Sequence, residues 1–172
     1  MKPLIKSLVI VLVTAAVVHL AVILSAPNLL MAVAFKRLSA EGAMVNQMIY
    51  PPRTTEASRA IVRPSPDLAY ASCAFDLSKG PVRVKAAKAS DYMSVSVYAA
   101  NSDNIFAIND RQAPDGVDLV IVGKGQVAPT GTAIVVQSPT QRGIVLERRL
   151  APSAQAFAAA DMARKKGVCS PL

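Results

Sequence analysis

An uncharged run near the amino terminus, residues 7–26, constrains the fold more than any other feature of the chain. At about 1.5 Å per residue, a helix of this length reaches about 30 Å, which is the thickness of the hydrocarbon core of a bilayer. Lys2 and Lys6 precede the run. We therefore expect residues 1–26 to form a transmembrane anchor in which residues 7–26 contact lipid.

A cleaved secretory signal is the alternative, because a basic start followed by an apolar run is common to both. The run is longer than the usual signal core of about 7–15 residues. A signal peptidase site near Ser25 and Ala26 would also have the bulky Ile23 or Leu24 three positions before the cleaved bond, where a small residue is usual. A retained anchor is favoured, and both interpretations send the rest of the chain out of the cytoplasm.

The orientation of the anchor depends on the basic residues beside it. Lys2 and Lys6 on one side are balanced by Lys36 and Arg37 on the other, so the positive-inside count nearly ties. The short basic leader favours a cytoplasmic amino terminus. The sequence thus predicts a single-pass protein of the bacterial inner membrane with a periplasmic carboxyl-terminal domain. His19 lies within the run, where we expect it to reach the interface or a partner helix.

The charges beyond the anchor are scattered and mildly basic. All 11 acidic residues and all but two of the 19 basic residues lie there. Such a balance suits solubility beside an anionic bilayer surface. Aromatic residues form only 5% of the chain, and neither an arginine stripe nor a binding motif is present, so the sequence predicts no nucleic-acid partner.

A juxtamembrane helix and a linker are expected over residues 27–57. Apolar residues recur at helical spacing through Met31, Phe35 and Val45, which predicts a helix over residues 27–48. Pro27 is expected to begin this helix or to kink it away from the anchor. The proline-rich residues 50–55 then form the linker.

The remainder, residues 58–172, is expected to be a β domain with a carboxyl-terminal helix. Turn residues separate short extended segments, and residues 92–99 alternate strictly between apolar and polar. The fold class is therefore mainly β, an antiparallel sandwich or a jelly-roll-like domain. Strands are predicted at residues 59–63, 68–77, 81–87, 92–99, 105–108, 117–122, 132–137 and 144–149.

An alanine-rich segment over residues 153–166 predicts the last helix, with Gly167 just beyond it. Its apolar positions Ala154, Phe157, Ala158 and Met162 share one face. We expect this face to cover the sheet.

The chain has two cysteines, Cys73 and Cys169. In an oxidising compartment such a pair usually forms a disulfide, which would tie the tail beyond the last helix to the strand at residues 68–77. Two unrelated buried thiols are the alternative.

Catalytic chemistry has little support in the residue types present. The one histidine lies in the anchor, so a Ser-His-Asp or Cys-His arrangement is excluded, and too few Cys and His ligands remain for zinc. We expect neither a cofactor nor a metal. Aspartates are numerous, and paired carboxylates remain possible. Each aspartate also suits a turn or a strand end.

Five short blocks stand in order along the chain, at residues 63–70, 76–81, 92–98, 103–106 and 109–111. Over residues 46–150 they resemble the bacterial family called domain of unknown function 1254 (DUF1254). The resemblance implies a mainly β domain in the cell envelope, which in longer relatives is often followed by a second domain, DUF1214. We expect this chain to be a short, membrane-anchored form without DUF1214. Met93 stands where relatives tend to have tryptophan.

Five polar residues at strand ends are the candidate binding site: Asp67, Tyr70, Asn104, Asp110 and Arg111. The alternative is that they satisfy turns and backbone groups. The sequence predicts an envelope protein whose domain binds a small ligand or another envelope protein without catalysis. An envelope hydrolase that uses two aspartates is the alternative function.

Overall fold

A computed structural model describes residues 3–59, 61–88, 90–131 and 133–172 of the chain. It opens with one long helix, α1, over Pro3–Leu38. The most apolar window of α1 has a mean hydropathy of 2.8, and none of the helix is buried in the protein. By length and composition α1 can cross a membrane. Lys2, one of the two lysines that precede the apolar run, lies outside the described residues.

Pro27 does not begin a separate helix, because α1 runs through this residue. Nearby side chains bond to backbone carbonyls of the same stretch: Ser25 Oγ donates to Ala21, 2.6 Å, and Asn28 Nδ2 donates to Leu24, 3.4 Å. The helix also ends earlier than residue 48. Ala40 and Glu41 adopt left-handed backbone angles, which end helical pairing after Leu38.

In the described part of the chain, the β domain follows as nine strands and a second helix, α2. In chain order they are β1 Met48–Ile49, β2 Leu68–Asp76, β3 Val82–Ala87, β4 Met93–Ala99, β5 Asn104–Asn109, β6 Gly116–Val122, β7 Ile134–Gln137, β8 Arg142–Leu150, α2 Ala154–Arg164 and β9 Val168–Pro171.

These strands form two open sheets that face each other. Sheet A has the order β1-β2-β8-β4-β5, and sheet B has the order β7-β6-β3-β9. The named strands pair antiparallel except for β6 and β7, which pair parallel. The predicted antiparallel sandwich is confirmed in its open, two-sheet form.

Most predicted strands are confirmed within a residue or two at each end, including β4 and its hairpin with β5. The segment at residues 59–63 is an exception, since its described residues form no strand. Residues 60 and 132 lie outside the described residues, and β7 is seen from Ile134. The short edge strands β1 and β9 carry no strong local pattern.

The core lies between the sheets. Successive residues of a strand point to opposite faces, so alternate residues of each sheet meet there. Cys73 and Cys169 form a disulfide within this core and join β2 of sheet A to β9 of sheet B. The buried apolar residues of this core include Phe75, Val82, Val84, Val95, Val97, Leu119, Ile121 and Val145.

The predicted inner face of α2 is right for Phe157 and wrong for the other three positions. Phe157 packs beside the buried Ala160, and Arg164 is buried too, whereas Ala154 and Ala158 are exposed and Met162 is 66% exposed. The inner face of α2 therefore includes a charged residue. Arg164 is tolerated there because its guanidinium bonds to Asp161 and to the backbone carbonyls of Tyr70 and Pro51.

Candidate functional site

A groove of about 550 Å³ lies between α1 and one end of sheet A, and we call it the α1 groove. The last turns of α1 form one wall, and the start of β8 forms the other. Its lining is apolar along Met31, Ala32 and Phe35, with polar or charged groups at Asn28, Lys36 and Arg142.

Two contacts hold α1 against the domain on either side of this groove. Ser102 Oγ donates to the carbonyl of Pro27, 2.8 Å, and the guanidinium of Arg142 lies 5.5 Å from the centre of the Phe35 ring. Both are long-range contacts between the helix and the loops at this end of sheet A. The wall made by α1 is therefore positioned by the domain.

The charges of the α1 groove are paired at its outer edge. Lys36 Nζ lies 2.9 Å from Glu41 Oε2, and Arg142 Nε lies 2.7 Å from Asp76 Oδ2. Partial burial raises the pKa of Asp76, but hydrogen bonds from Arg142 and Ser78 outweigh it and hold that pKa below its usual value. The side chains of Lys36 and Arg142 are mostly exposed, so both cations remain open to a ligand.

The five predicted site residues do not converge. Asp67, Tyr70, Asp110 and Arg111 belong to the end of sheet A where β2 begins, whereas Asn104 pairs with Tyr98 near the opposite end. Asp67 and Asp110 flank β2 and β5, which are three positions apart in the sheet. At about 4.8 Å per strand, their backbones are about 14 Å apart.

Most of these residues satisfy local groups. Asp110 Oδ1 accepts from the backbone N–H of Met93, 3.1 Å, and the Tyr70 hydroxyl accepts from the N–H of Ser65, 2.8 Å. The carbonyl of Asp67 accepts from the N–H of Ala151, 2.7 Å. Such bonds fit the turn and strand-end alternative. That these residues bind a ligand stays a prediction.

Several aspartates are engaged by cations. Asp118 lies 2.6 Å from Arg83 Nη2, and the hydrogen bond from Arg83 lowers the pKa of Asp118. Asp115 lies 3.7 Å from Lys88 Nζ. Within the described part of the chain, no three His, Cys, Asp or Glu side chains cluster as a metal site would require.

A buried ionic cluster, which was not predicted from the sequence, lies on the inner face of sheet A. Glu147 is 0% exposed and Arg149 is 3% exposed, and Arg149 Nε donates to Glu147 Oε1, 2.5 Å. Their neighbours across the β2–β8 ladder are Ala71 and Ala69, whose small side chains leave room for them. The spacing along β8 pointed to this cluster, since Glu147 and Arg149 are two and four residues after Val145 and therefore lie on the same face of the strand.

Burial raises the pKa of Glu147, although Arg149 and Arg164 pull it down. Among the described residues, Glu147 Oε2 has no hydrogen-bond partner. The cluster extends to Tyr50, whose hydroxyl donates to the carbonyl of Gly167, 3.0 Å, and whose pKa is raised by burial. This end of the sandwich therefore carries most of its interior charge.

Comparison with solved structures supports the fold. The VPA0106 protein from Vibrio parahaemolyticus superposes with a TM-score of 0.61 at 12% identity, over 88% of this chain and 38% of that one. An uncharacterized protein from Burkholderia cenocepacia gives a TM-score of 0.50 at 14% identity, over 69% of this chain and 35% of that one. The chain thus spans little more than a third of either solved protein.

No curated protein matches the chain. The model of a family described as "Protein of unknown function (DUF1254)" does match, over residues 45–171. This match extends beyond the expected residues 46–150, so α2 and β9 are part of the family's domain. It covers well over half of the sequence, and the chain therefore belongs to the DUF1254 family.

Proposed function

We propose that this chain is a single-pass protein of the bacterial inner membrane whose periplasmic domain binds the headgroup of a membrane phospholipid in the α1 groove, without catalysis. The observation that carries the proposal is the α1 groove itself, which has an apolar floor and exposed cations at one end. The Cys73–Cys169 disulfide supports a location outside the cytoplasm, since such bonds persist in oxidising compartments.

The length of α1 supports a position of the groove beside the bilayer. If residues 7–26 cross the hydrocarbon core, the rise of about 1.5 Å per residue puts Asn28 about 3 Å and Lys36 about 15 Å above it. The headgroup layer adds roughly 5–7 Å to each side of the core. The groove then begins among the headgroups and ends above them.

The polarity of the groove fits an amphiphile that enters from the membrane. Met31 and Phe35 offer an apolar path near the bilayer, and the exposed Lys36 and Arg142 lie further out. A guanidinium binds phosphate through parallel hydrogen bonds, and an ammonium adds a point charge. A phospholipid raised partly out of the leaflet would thus place its phosphate at these cations and its upper chains along α1.

The α1 groove gives little support to a hydrolase with paired aspartates. Such an enzyme needs two carboxyl groups about 5–10 Å apart beside its substrate. Among the described residues that line the α1 groove, Glu41 is the one acidic side chain. This arrangement favours binding over acid–base chemistry.

Native mass spectrometry of the full chain, released from nanodiscs that contain zwitterionic and anionic phospholipids, tests the proposal. We expect the wild type to retain one phospholipid. Ala32→Phe should lower its occupancy about tenfold, which is about 1.4 kcal/mol, because the ring fills the groove. Val33→Phe is the matched control, because Val33 is exposed on α1 but does not line the groove.

The cations are tested separately. Arg142→Gln should weaken retention, whereas Arg111→Gln, a substitution of an exposed arginine at the other end of sheet A, should not. Equal retention in all four variants would contradict a lipid site in the α1 groove. A carboxyl-terminal reporter that is active only in the cytoplasm would contradict the proposed orientation.

A further inference from the structure

A second groove, which we call the α2 groove, lies at the opposite end of the sandwich and has a volume of about 300 Å³. One wall is the face of α2 that carries Ala156, Ala159 and Ala163. The other wall is formed by Lys88 and residues 90–92 between β3 and β4, with Lys88 and Asp91 at the rim. The alanines follow the three- and four-residue spacing of one helix face, so this wall is smooth and aliphatic.

Arg149 lines the α2 groove although it is almost fully buried. Its Nε donates to Glu147 Oε1 and its Nη2 donates to the carbonyl of Ala87, 2.6 Å. These two bonds hold the guanidinium plane in place and leave further N–H groups of the same side chain available, since a guanidinium is a multiple donor. A fixed cation therefore borders an aliphatic slot.

We propose that the α2 groove binds a short aliphatic monocarboxylate, with its carboxylate on the Arg149 guanidinium and its chain along the alanine face of α2. Arginine pairs with carboxylates through a planar fork of N–H donors, and partial burial strengthens such a bond. Asp91 at the rim disfavours a ligand with a second negative charge.

This site is separate from the α1 groove. Arg149 and Arg142 stand at opposite ends of β8. Seven residues of strand at about 3.3 Å each place them about 23 Å apart. A ligand in one groove can thus be tested without disturbing the other.

Alanine-methyl NMR of the full chain in nanodiscs provides the test, with sodium butyrate as the probe and sodium chloride to hold the ionic strength constant. We expect saturable shifts of the Ala156, Ala159 and Ala163 methyl groups. Butyramide, which has the same shape without the charge, should shift them weakly. The short chain of butyrate keeps partition into the bilayer low.

Two leucine substitutions on the same helix separate this site from general effects. Ala159→Leu should weaken butyrate binding about tenfold because the larger side chain fills the slot. Ala158→Leu is the control, since Ala158 is exposed and does not line the groove. Leucine is nearly as good a helix former as alanine, so both variants should fold.

The proposal is overturned if the shifts rise linearly without saturation, if butyramide matches butyrate, or if Ala159→Leu and Ala158→Leu bind equally. Saturable inorganic phosphate binding that exceeds butyrate binding would also overturn it, because an aliphatic chain would then contribute nothing.

Discussion

Cys73 on β2 is bonded to Cys169 on β9, so a single covalent link joins the two sheets across 96 residues of sequence. Their Cα atoms lie 6.4 Å apart. β9 is a short edge strand that pairs with β3 alone, and its ladder extends from Val168 to Pro171. The disulfide therefore fixes an element that few backbone hydrogen bonds would otherwise hold.

Reduction of this bond should lower the free energy of unfolding by about 4–5 kcal/mol, the chain-entropy value for a loop of this size. Urea unfolding in mild detergent, followed by near-ultraviolet circular dichroism of the tyrosines, measures the change. The double variant Cys73→Ala/Cys169→Ala should be as unstable as the reduced protein and insensitive to reductant. Two freely alkylated thiols in the native protein would contradict the prediction.

Gly143→Ala should destabilise the domain by about 3 kcal/mol, as overpacking of a filled interior does. A Cβ at this position of β8 would lie 2.2 Å from the carbonyl oxygen of Tyr98 and 2.4 Å from Cζ of Phe75. Gly131→Ala is the control, because an added Cβ there meets nothing within 4 Å. The same urea titration compares the two, and equal midpoints would refute the close approach at Gly143.

Arg164→Met should cost about 3–5 kcal/mol, because it leaves the carbonyls of Tyr70 and Pro51 without their partner and leaves Asp161 with Lys165 alone. Hydrogen exchange should rise in α2 and in residues 50–55, which this side chain ties together. Lys165→Met is the matched control, since the neighbouring Lys165 is exposed and pairs with Asp161 at the surface. A similar hydrogen-exchange pattern in both variants would show that Arg164 does not hold α2 against residues 50–55.

The parts of the fold that local pattern predicts are those whose burial alternates with sequence. β3 is the clearest example, since Val82, Val84 and Ala86 are buried and the residues between them are not. The face of α2 was mispredicted because Arg164 is buried by partners 94 and 113 residues away, which no helical period can reveal. The short strands β1 and β9 were not predicted either, because each is defined by its pairing with a strand distant in sequence, β2 and β3 respectively.

The candidate sites were even less accessible to sequence reasoning. The α1 groove joins residues 28–45 to Ala100 and Arg142, and the α2 groove joins Lys88 to α2. Polar residues at strand ends drew attention because loops often carry function. In the structure those residues mostly serve backbone groups, whereas the cations that border the grooves lie within or beside regular elements. The order of strands in the two sheets brings these cations next to α1 and α2, and local sequence pattern does not reveal that order.

The pH dependence of stability should distinguish Glu147 from the surface carboxylates. Burial raises the pKa of Glu147 above its ordinary value of 4.5. The native state then binds the proton more tightly than the unfolded state, so this contribution to stability is full below the unfolded pKa and is lost as pH rises through the folded pKa. Glu147→Gln has no carboxyl group at this position, so its free energy of unfolding does not fall as pH rises through the folded pKa of Glu147. Its stability relative to the wild type should therefore increase from pH 4 to pH 8 in urea titrations.

Asp118→Asn serves as the control of opposite sign. The hydrogen bond from Arg83 lowers the pKa of Asp118 below 3.8, so its stabilising contribution is present above the unfolded pKa and is lost as pH falls through the folded pKa. The free energy of unfolding of Asp118→Asn should be lower than that of the wild type by a constant amount above about pH 5, and this difference should shrink toward pH 3. If Glu147→Gln followed this same profile, Glu147 would be an ordinary ionised partner of Arg149, and the carboxylate would gain more from that pairing than it loses by burial.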